Sequence, residues 1–207
     1  MNNPTTIFFP DISGFTEFVN QTEIEHGQHI IASLLEEIIE SNYLDFIVSE
    51  IEGDAILFYK GGDKLSTTEI LKLCIDIYNK FHEKLKELDN STNCECGACS
   101  SISKLKLKFI IHFGKVSFIK IYNFEKLYGL DVIIAHRLLK NNIPSKEYVL
   151  ITNSSNNPTQ NSAREELEFL EGPFNFRQQI PIIGAIEGIY YNLLQRHHHS
   201  TIHHTHN

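Results

Sequence analysis

From Glu23 to Ser41 the apolar residues Ile30, Ile31, Leu34, Leu35, Ile38 and Ile39 recur at steps of three and four, the spacing of one helical face, and predict a helix lying over a sheet. The same period returns from Ser66 to Leu88, where Ile70, Leu73, Ile77, Phe81, Leu85 and Leu88 fall on the inward side. Elsewhere the pattern is that of strands. Thr5 to Phe9 is a short β-branched and aromatic run. Tyr43 to Ser49 and Ala55 to Tyr59 form two more, joined through a segment whose Gly53 and Asp54 suit a tight hairpin turn. Lys104, Lys106 and Lys108 alternate with Leu105 and Leu107, the period of a half-exposed strand, and a turn at Gly114 is expected to fold this strand back onto Lys115 to Tyr122. The lysine stripe reads as the wet face of an outer strand, where charge discourages edge pairing. A short helix over Asp131 to Lys140, a strand at Tyr148 to Thr152, a polar Asn/Ser-rich stretch and two late strands, Phe176 to Ile182 and Ile186 to Leu194, follow. The order strand, helix, hairpin, helix, hairpin, helix, strands predicts an α+β fold, a mostly antiparallel sheet with helices packed on one face.

Composition narrows what such a sheet serves. A chain of 207 residues, 42% hydrophobic, is long enough to bury a sizeable core, and without a repeat or linker residues 1–195 read as a single domain. Residues 196–207 form a His-rich tail left outside the fold, with only adventitious metal affinity expected. No apolar run reaches the roughly 18 residues of a membrane span and no apolar leader precedes Asp11, so the expectation is a cytoplasmic protein without a membrane partner. A formal charge of -8 argues against a nucleic-acid polymer, which rewards clustered Lys and Arg, but leaves room for a small anion carried by a metal ion. Cys94, Cys96 and Cys99 stand within six residues of polar loop, three soft ligands toward a structural Zn2+ or a redox site. His82 and His112 are fourth-ligand candidates by residue type alone, and a loop of reduced thiols accounts for the cluster equally well. His26 and His29 are read as an exposed or interface pair rather than ligands.

The segment Phe8 to Phe18, FFPDISGFTEF, carries the chemistry. A strand ending in Asp11 and giving way to Ser13, Gly14 and a helix start sets a carboxylate beside free backbone N–H groups, where a helix end favours an anion. Asp54, at the turn of a hairpin able to lie beside that strand, is a second carboxylate, and two such groups can clamp a pair of divalent ions on a triphosphate. Taken singly, each motif is explained by a helix cap or an ordinary turn. Their combination favours the metal-bound triphosphate.

These motifs resemble the class III nucleotidyl cyclase catalytic domain. FPDISGFTEF is similar to its first metal motif, EIEGDAILFY to its second, FIIHFGKV to its Ile-His-x-Gly segment, and LYGLDVIIAHRLL to the segment carrying its transition-state residues; the matches run in the family's order from about Thr5 to Leu139. The wording of EIEGDAILFY and HRLLKN also resembles a bacterial branch of that superfamily. The resemblance implies a ferredoxin-like βαββαβ cyclase-type domain that makes a cyclic 3′,5′-nucleoside monophosphate from a nucleoside triphosphate. It implies Asp11, Asp54 and the Ile12 carbonyl as ligands of two Mg2+ or Mn2+ ions, and phosphates cradled by the turn Ser13, Gly14, Phe15 and Thr16. A head-to-tail homodimer is implied, in which Arg137 serves the partner's site. Glu50 and Lys126 fall at the two base-selecting positions, where a glutamate resembles guanylate specificity and a lysine matches neither common pattern, so base choice stays open. Two departures stand out: Ile133 replaces the family's asparagine, and Ile182 and Ile183 stand where a phosphate-holding lysine is expected. They motivate the alternative of a cyclase-like module that binds nucleotide or a protein partner without turnover.

Overall fold

The computed structural model describes residues 3–62, 64–91, 101–153 and 169–194. The two long helical periods become α2 (Ile24–Glu40) and α3 (Thr67–Ser91). The start of α3 is set by a reciprocal cap: the Ser66 amide donates to Glu69 Oε2 at 2.9 Å and the Glu69 amide to Ser66 Oγ at 3.2 Å. A short α1 (Phe15–Gln21) precedes them, opening at Gly14. The strands are β1 (Asn3–Ser13), β2 (Ile47–Glu52), β3 (Ala55–Gly61), β4 (Lys106–Ile121), β5 (Phe124–Tyr128), β6 (Tyr148–Thr152), β7 (Leu170–Ile180) and β8 (Gly184–Leu193), with α4 (Leu130–Leu138) between β5 and β6.

The sheet runs β2-β3-β1-β4-β6-β8-β7, with β5 pairing the far end of β4. Every pairing is antiparallel except β4 with β6. The first four strands in the order β2-β3-β1-β4, with α2 and α3 as crossovers, form the expected βαββαβ unit. Alternation along β1 divides the interior. Phe8 and Ile12 join α2 and α3 on one face, where the Phe8 ring lies 5.7 Å from that of Phe58 and 5.9 Å from that of Phe109. Ile7 and Phe9 face the other way and pack with Val132, Ile134, Ala135 and Leu138 of α4. The two long helices therefore share one face, and the short one holds the opposite face.

Two strand expectations are corrected. Gly114 makes no turn; β4 passes straight through it to Ile121, and the chain reverses at Tyr122, whose φ is 54°, into a β5 that the sequence reading did not identify. The glycine is there for space, since a Cβ on it would stand 2.2 Å from Cγ of Asp131, which enters from α4. Nor is β4 an outer strand: it lies between β1 and β6, and each lysine of its stripe meets a carboxylate, Lys104 with Glu17 at 3.0 Å, Lys106 with Glu147 at 3.8 Å and Lys108 with Asp11 at 2.8 Å. Among the described residues no helix is long and apolar enough to cross a membrane.

Candidate functional site

Asp11 sits near the end of β1, opposite Ala55 on β3 and Lys108 on β4, on the face that α4 covers; it is 8% exposed. The neighbouring Ile12 amide donates to the Asp54 carbonyl at 2.9 Å, which ties the hairpin turn to the end of β1. Gly53 makes that turn possible with φ +66°, a value other residues adopt at a cost. The Asp54 carboxyl is pushed up from its ordinary value first by burial and next by the negative charge of Asp11, with Lys108 pulling the other way. The two predicted metal carboxylates thus lie within each other's field.

Lys108 belongs to the same cluster, which the sequence reading missed. Its ammonium, 2.8 Å from Asp11 Oδ2, also donates to the Leu139 carbonyl at the end of α4 at 3.1 Å, and its side chain is only 17% exposed. Only the register of β1 against β4 reveals it, because position 108 is 97 residues from Asp11 and looks like one member of a surface alternation.

Ser13 ends β1, Gly14 caps α1, and Phe15 and Thr16 are its first residues. Gly14 carries φ +90°, and a Cβ there would approach the Lys104 carbonyl to 3.2 Å. The Phe15 ring, partly buried against the core, has Cε1 3.8 Å from where a Cβ on Gly53 would stand, so the helix start and the carboxylate-bearing turn are neighbours. Any contact from Phe15 to an anion is left to its amide.

The two positions that the resemblance implies for base selection meet: Lys126 Nζ donates to Glu50 Oε2 at 2.7 Å, joining β5 to β2. Arg137 lies exposed on α4, as does Ile133 at 51%, while the helix buries Val132, Ile134, Ala135 and Leu138. No contact of Arg137 with Asp11 or Asp54 occurs among the described residues. His136, beside it, packs edge-on against Phe9 at 4.9 Å and reaches Glu52 at 3.5 Å. Ile182 is fully exposed at the β7–β8 turn with φ 73°, while Ile183 is partly buried against the core.

Cys94, Cys96 and Cys99 lie outside the described residues, as does the tail. Both candidate fourth ligands are engaged elsewhere: His82 Nε2 lies 2.7 Å from Glu147, and buried His112 sits between Thr152 at 2.8 Å and Asp131 at 3.0 Å. Burial lowers the His112 pKa against the opposing pull of Asp131. In a neutral ring with Nε2–H donating to Asp131, Nδ1 faces the Thr152 hydroxyl, whose one proton is shared with the Ile111 carbonyl at 3.2 Å. The described residues contain no group of three or more His, Cys, Asp or Glu able to hold a metal. Two carboxylates and a backbone carbonyl do suit a hard divalent ion that takes its remaining oxygens from phosphate and water.

The architecture is that of adenylyl and guanylyl cyclase catalytic domains. The chain resembles the adenylyl cyclase CyaB of P. aeruginosa with TM-score 0.63 at 14% identity, covering 96% of this chain and 97% of that one. It resembles the guanylyl cyclase Cya2 with TM-score 0.64 at 14% identity, over 97% and 98% of the two chains. The guanylate cyclase domain of RhGC from Catenaria anguillulae, solved in complex with GTP, matches with TM-score 0.55 at 15% identity, over 94% and 98%. At these identities the likeness is one of fold. A Mycobacterium tuberculosis protein, uncharacterized protein Rv2561/Rv2562, is 30% identical over 122 residues, 59% of this chain, and the chain spans 57% of the length of that curated relative. A family model described as "Protein of unknown function (DUF2652)" matches residues 31–148, more than half of the sequence, and the chain belongs to that family.

Proposed function

We propose that this chain is a class III-type nucleotidyl cyclase, which closes a nucleoside triphosphate to the cyclic 3′,5′-monophosphate and releases pyrophosphate. The 3′-oxygen bonds to the α-phosphorus, the hydroxyl proton passes to solvent water, and the bond from that phosphorus to the bridging oxygen breaks with its electron pair leaving on pyrophosphate. The observation that carries this reading is the convergence of Asp11 and Asp54 at one end of the sheet, where Asp11 pairs with Ala55 and the Ile12 amide donates to the Asp54 carbonyl at 2.9 Å. Mg2+ or Mn2+ held by Asp11, Asp54 and the Ile12 carbonyl would neutralise the triphosphate and ease ionisation of the 3′-hydroxyl. The chain supplies the rest: amides of the turn Ser13 to Thr16 for phosphate oxygens, and Glu50 and Lys126 for the edge of the base.

Arg137 serves this chemistry only from a second copy, since in one protomer it points out from α4. A head-to-tail homodimer is supported by the apolar surface around it: Phe118, Ile121, Tyr122, Phe124 and Tyr128 on the β4–β5 arm and Leu130 and Ile133 on α4 are all at least 46% exposed. A guanidinium brought across such an interface would stabilise charge developing at the α-phosphate.

The second reading, nucleotide binding without turnover, is favoured by exposed Ile133 and Ile182, which offer no hydrogen bond where the family places a polar donor. Incubation with each of the four triphosphates and Mn2+, read by mass spectrometry, separates the two. Cyclic product supports the enzyme and names the base; nucleotide-dependent thermal stabilisation with no product under any metal supports the binding module. The Glu50–Lys126 pair gives a further check. Lys126→Ala is expected to leave the thermal midpoint within about 2 °C, because exposed ion pairs add little stability, while discrimination among the triphosphates falls by about tenfold. Unchanged discrimination would remove Lys126 from the base site.

A further inference from the structure

The Asp11–Asp54 cluster already contains a cation. Lys108 stands directly across from Asp11 in the β1–β4 register, its ammonium 2.8 Å from the carboxylate. A lysine on an open surface would share such a contact with water, but this one is fixed at a second point by the Leu139 carbonyl, 3.1 Å away, where the last turn of α4 presents the negative end of its dipole. With Asp11 12% and Lys108 17% exposed at the side chain, neither charge is well solvated, and separating them would leave both poorly compensated. Asp54 stands at the same end of β1, its carbonyl accepting from the Ile12 amide at 2.9 Å, so two carboxylates and the ammonium of Lys108 share this end of the sheet. Their sum is one negative charge rather than two. A site of that charge attracts a pair of divalent ions less strongly than two bare carboxylates would.

We propose that Lys108 is a built-in substitute for one of the two metal ions, so that each protomer takes up a single divalent ion with its nucleotide while the ammonium remains on Asp11. The proposal rests on the nucleotide site described above and deepens it. It also gives α4 a role in the site: the contact through Leu139 couples the helix bearing Arg137 to the charge balance at Asp11. Lys108 acts here as a positioning residue, holding Asp11 and the end of α4 in one arrangement.

The test is a Mn2+ titration of the full chain with a non-hydrolysable α,β-methylene triphosphate, free Mn2+ being read by electron paramagnetic resonance. Wild type is expected to bind one Mn2+ per protomer, Lys108→Arg also one, and Lys108→Met two. Because removing Lys108 leaves Asp11 without its partner, a second measurement accompanies the titration: Mn2+ should raise the unfolding temperature of Lys108→Met more than that of wild type. Two ions bound by wild type, or an equal Mn2+-induced shift in Lys108→Met and wild type, would overturn the proposal. Cyclic product assayed in parallel separates its failure from that of the reading beneath it. Two ions with product formed sink the lysine substitution alone, whereas no ion and no product sink both.

Discussion

Asp54→Asn should lower the rate of cyclic-product formation by at least about a hundredfold, the scale of losing a group that positions charge at a reacting phosphate. Mass spectrometry of product formed with Mn2+ and the preferred triphosphate provides the rate. The substitution keeps the shape of the side chain and leaves intact the backbone bond from Ile12 to the Asp54 carbonyl, so the hairpin turn should survive it. Stability provides an independent control. The folded-state pKa of Asp54 is raised, by burial and then by Asp11, so its contribution to stability is present below the unfolded carboxylate value and lost as pH rises through the folded one. At neutral pH the unliganded wild type therefore carries an unfavourable charge that asparagine removes. Asp54→Asn should unfold no more easily than wild type above the carboxylate range, yet lose the extra stabilisation that Mn2+ and nucleotide together confer. A variant that retains both product formation and that stabilisation would show the carboxylate pair to be incidental.

The same residues show how far the sequence could be read. Asp11, the Gly53-Asp54 turn and the helical periods of α2 and α3 are local signals, and each appears in the structure where periodicity or turn chemistry placed it. Lys108 is a different kind of residue. Its alternation with Leu105 and Leu107 reports only that one side of a strand is polar, and that is equally true of an outer strand and of a central strand whose polar positions meet acids on neighbouring elements. What distinguishes the two is the pairing of β4 with β6, five residues whose partner lies about 40 positions upstream, and no local pattern encodes that pairing. The Glu50–Lys126 contact was hidden for the same reason, since β5 is short and its alternation too brief to stand out as a strand. Arg137 was placed by resemblance, and its outward position on α4 follows from burial of Val132, Ile134, Ala135 and Leu138 on the opposite side.

Gly114→Ala should destabilise the protein by about 2–5 kcal/mol in urea denaturation, although alanine is ordinarily mild in a strand. Gly114 looks like a turn residue in sequence, but its Cβ position is taken up by the Asp131 side chain, with Cγ at 2.2 Å and Cβ at 2.3 Å. A methyl group there must drive Asp131 out. Its carboxylate then leaves the Lys115 amide, held at 2.7 Å, and His112 Nε2, held at 3.0 Å on a ring that is 1% exposed. An abandoned buried donor costs about 1–3 kcal/mol, and the strand amide adds a smaller amount. Because Asp131 lies in the first turn of α4, its displacement also shifts the helix that presents Arg137, so product formation should fall with stability. A double-mutant cycle distinguishes this steric account from a general intolerance of side chains in β4. Asp131→Gly removes both the carboxylate and the Cβ, and in that background Gly114→Ala should cost less than about 1 kcal/mol. An equal cost in both backgrounds would mean that the glycine serves the strand itself and that α4 is anchored by its apolar face alone.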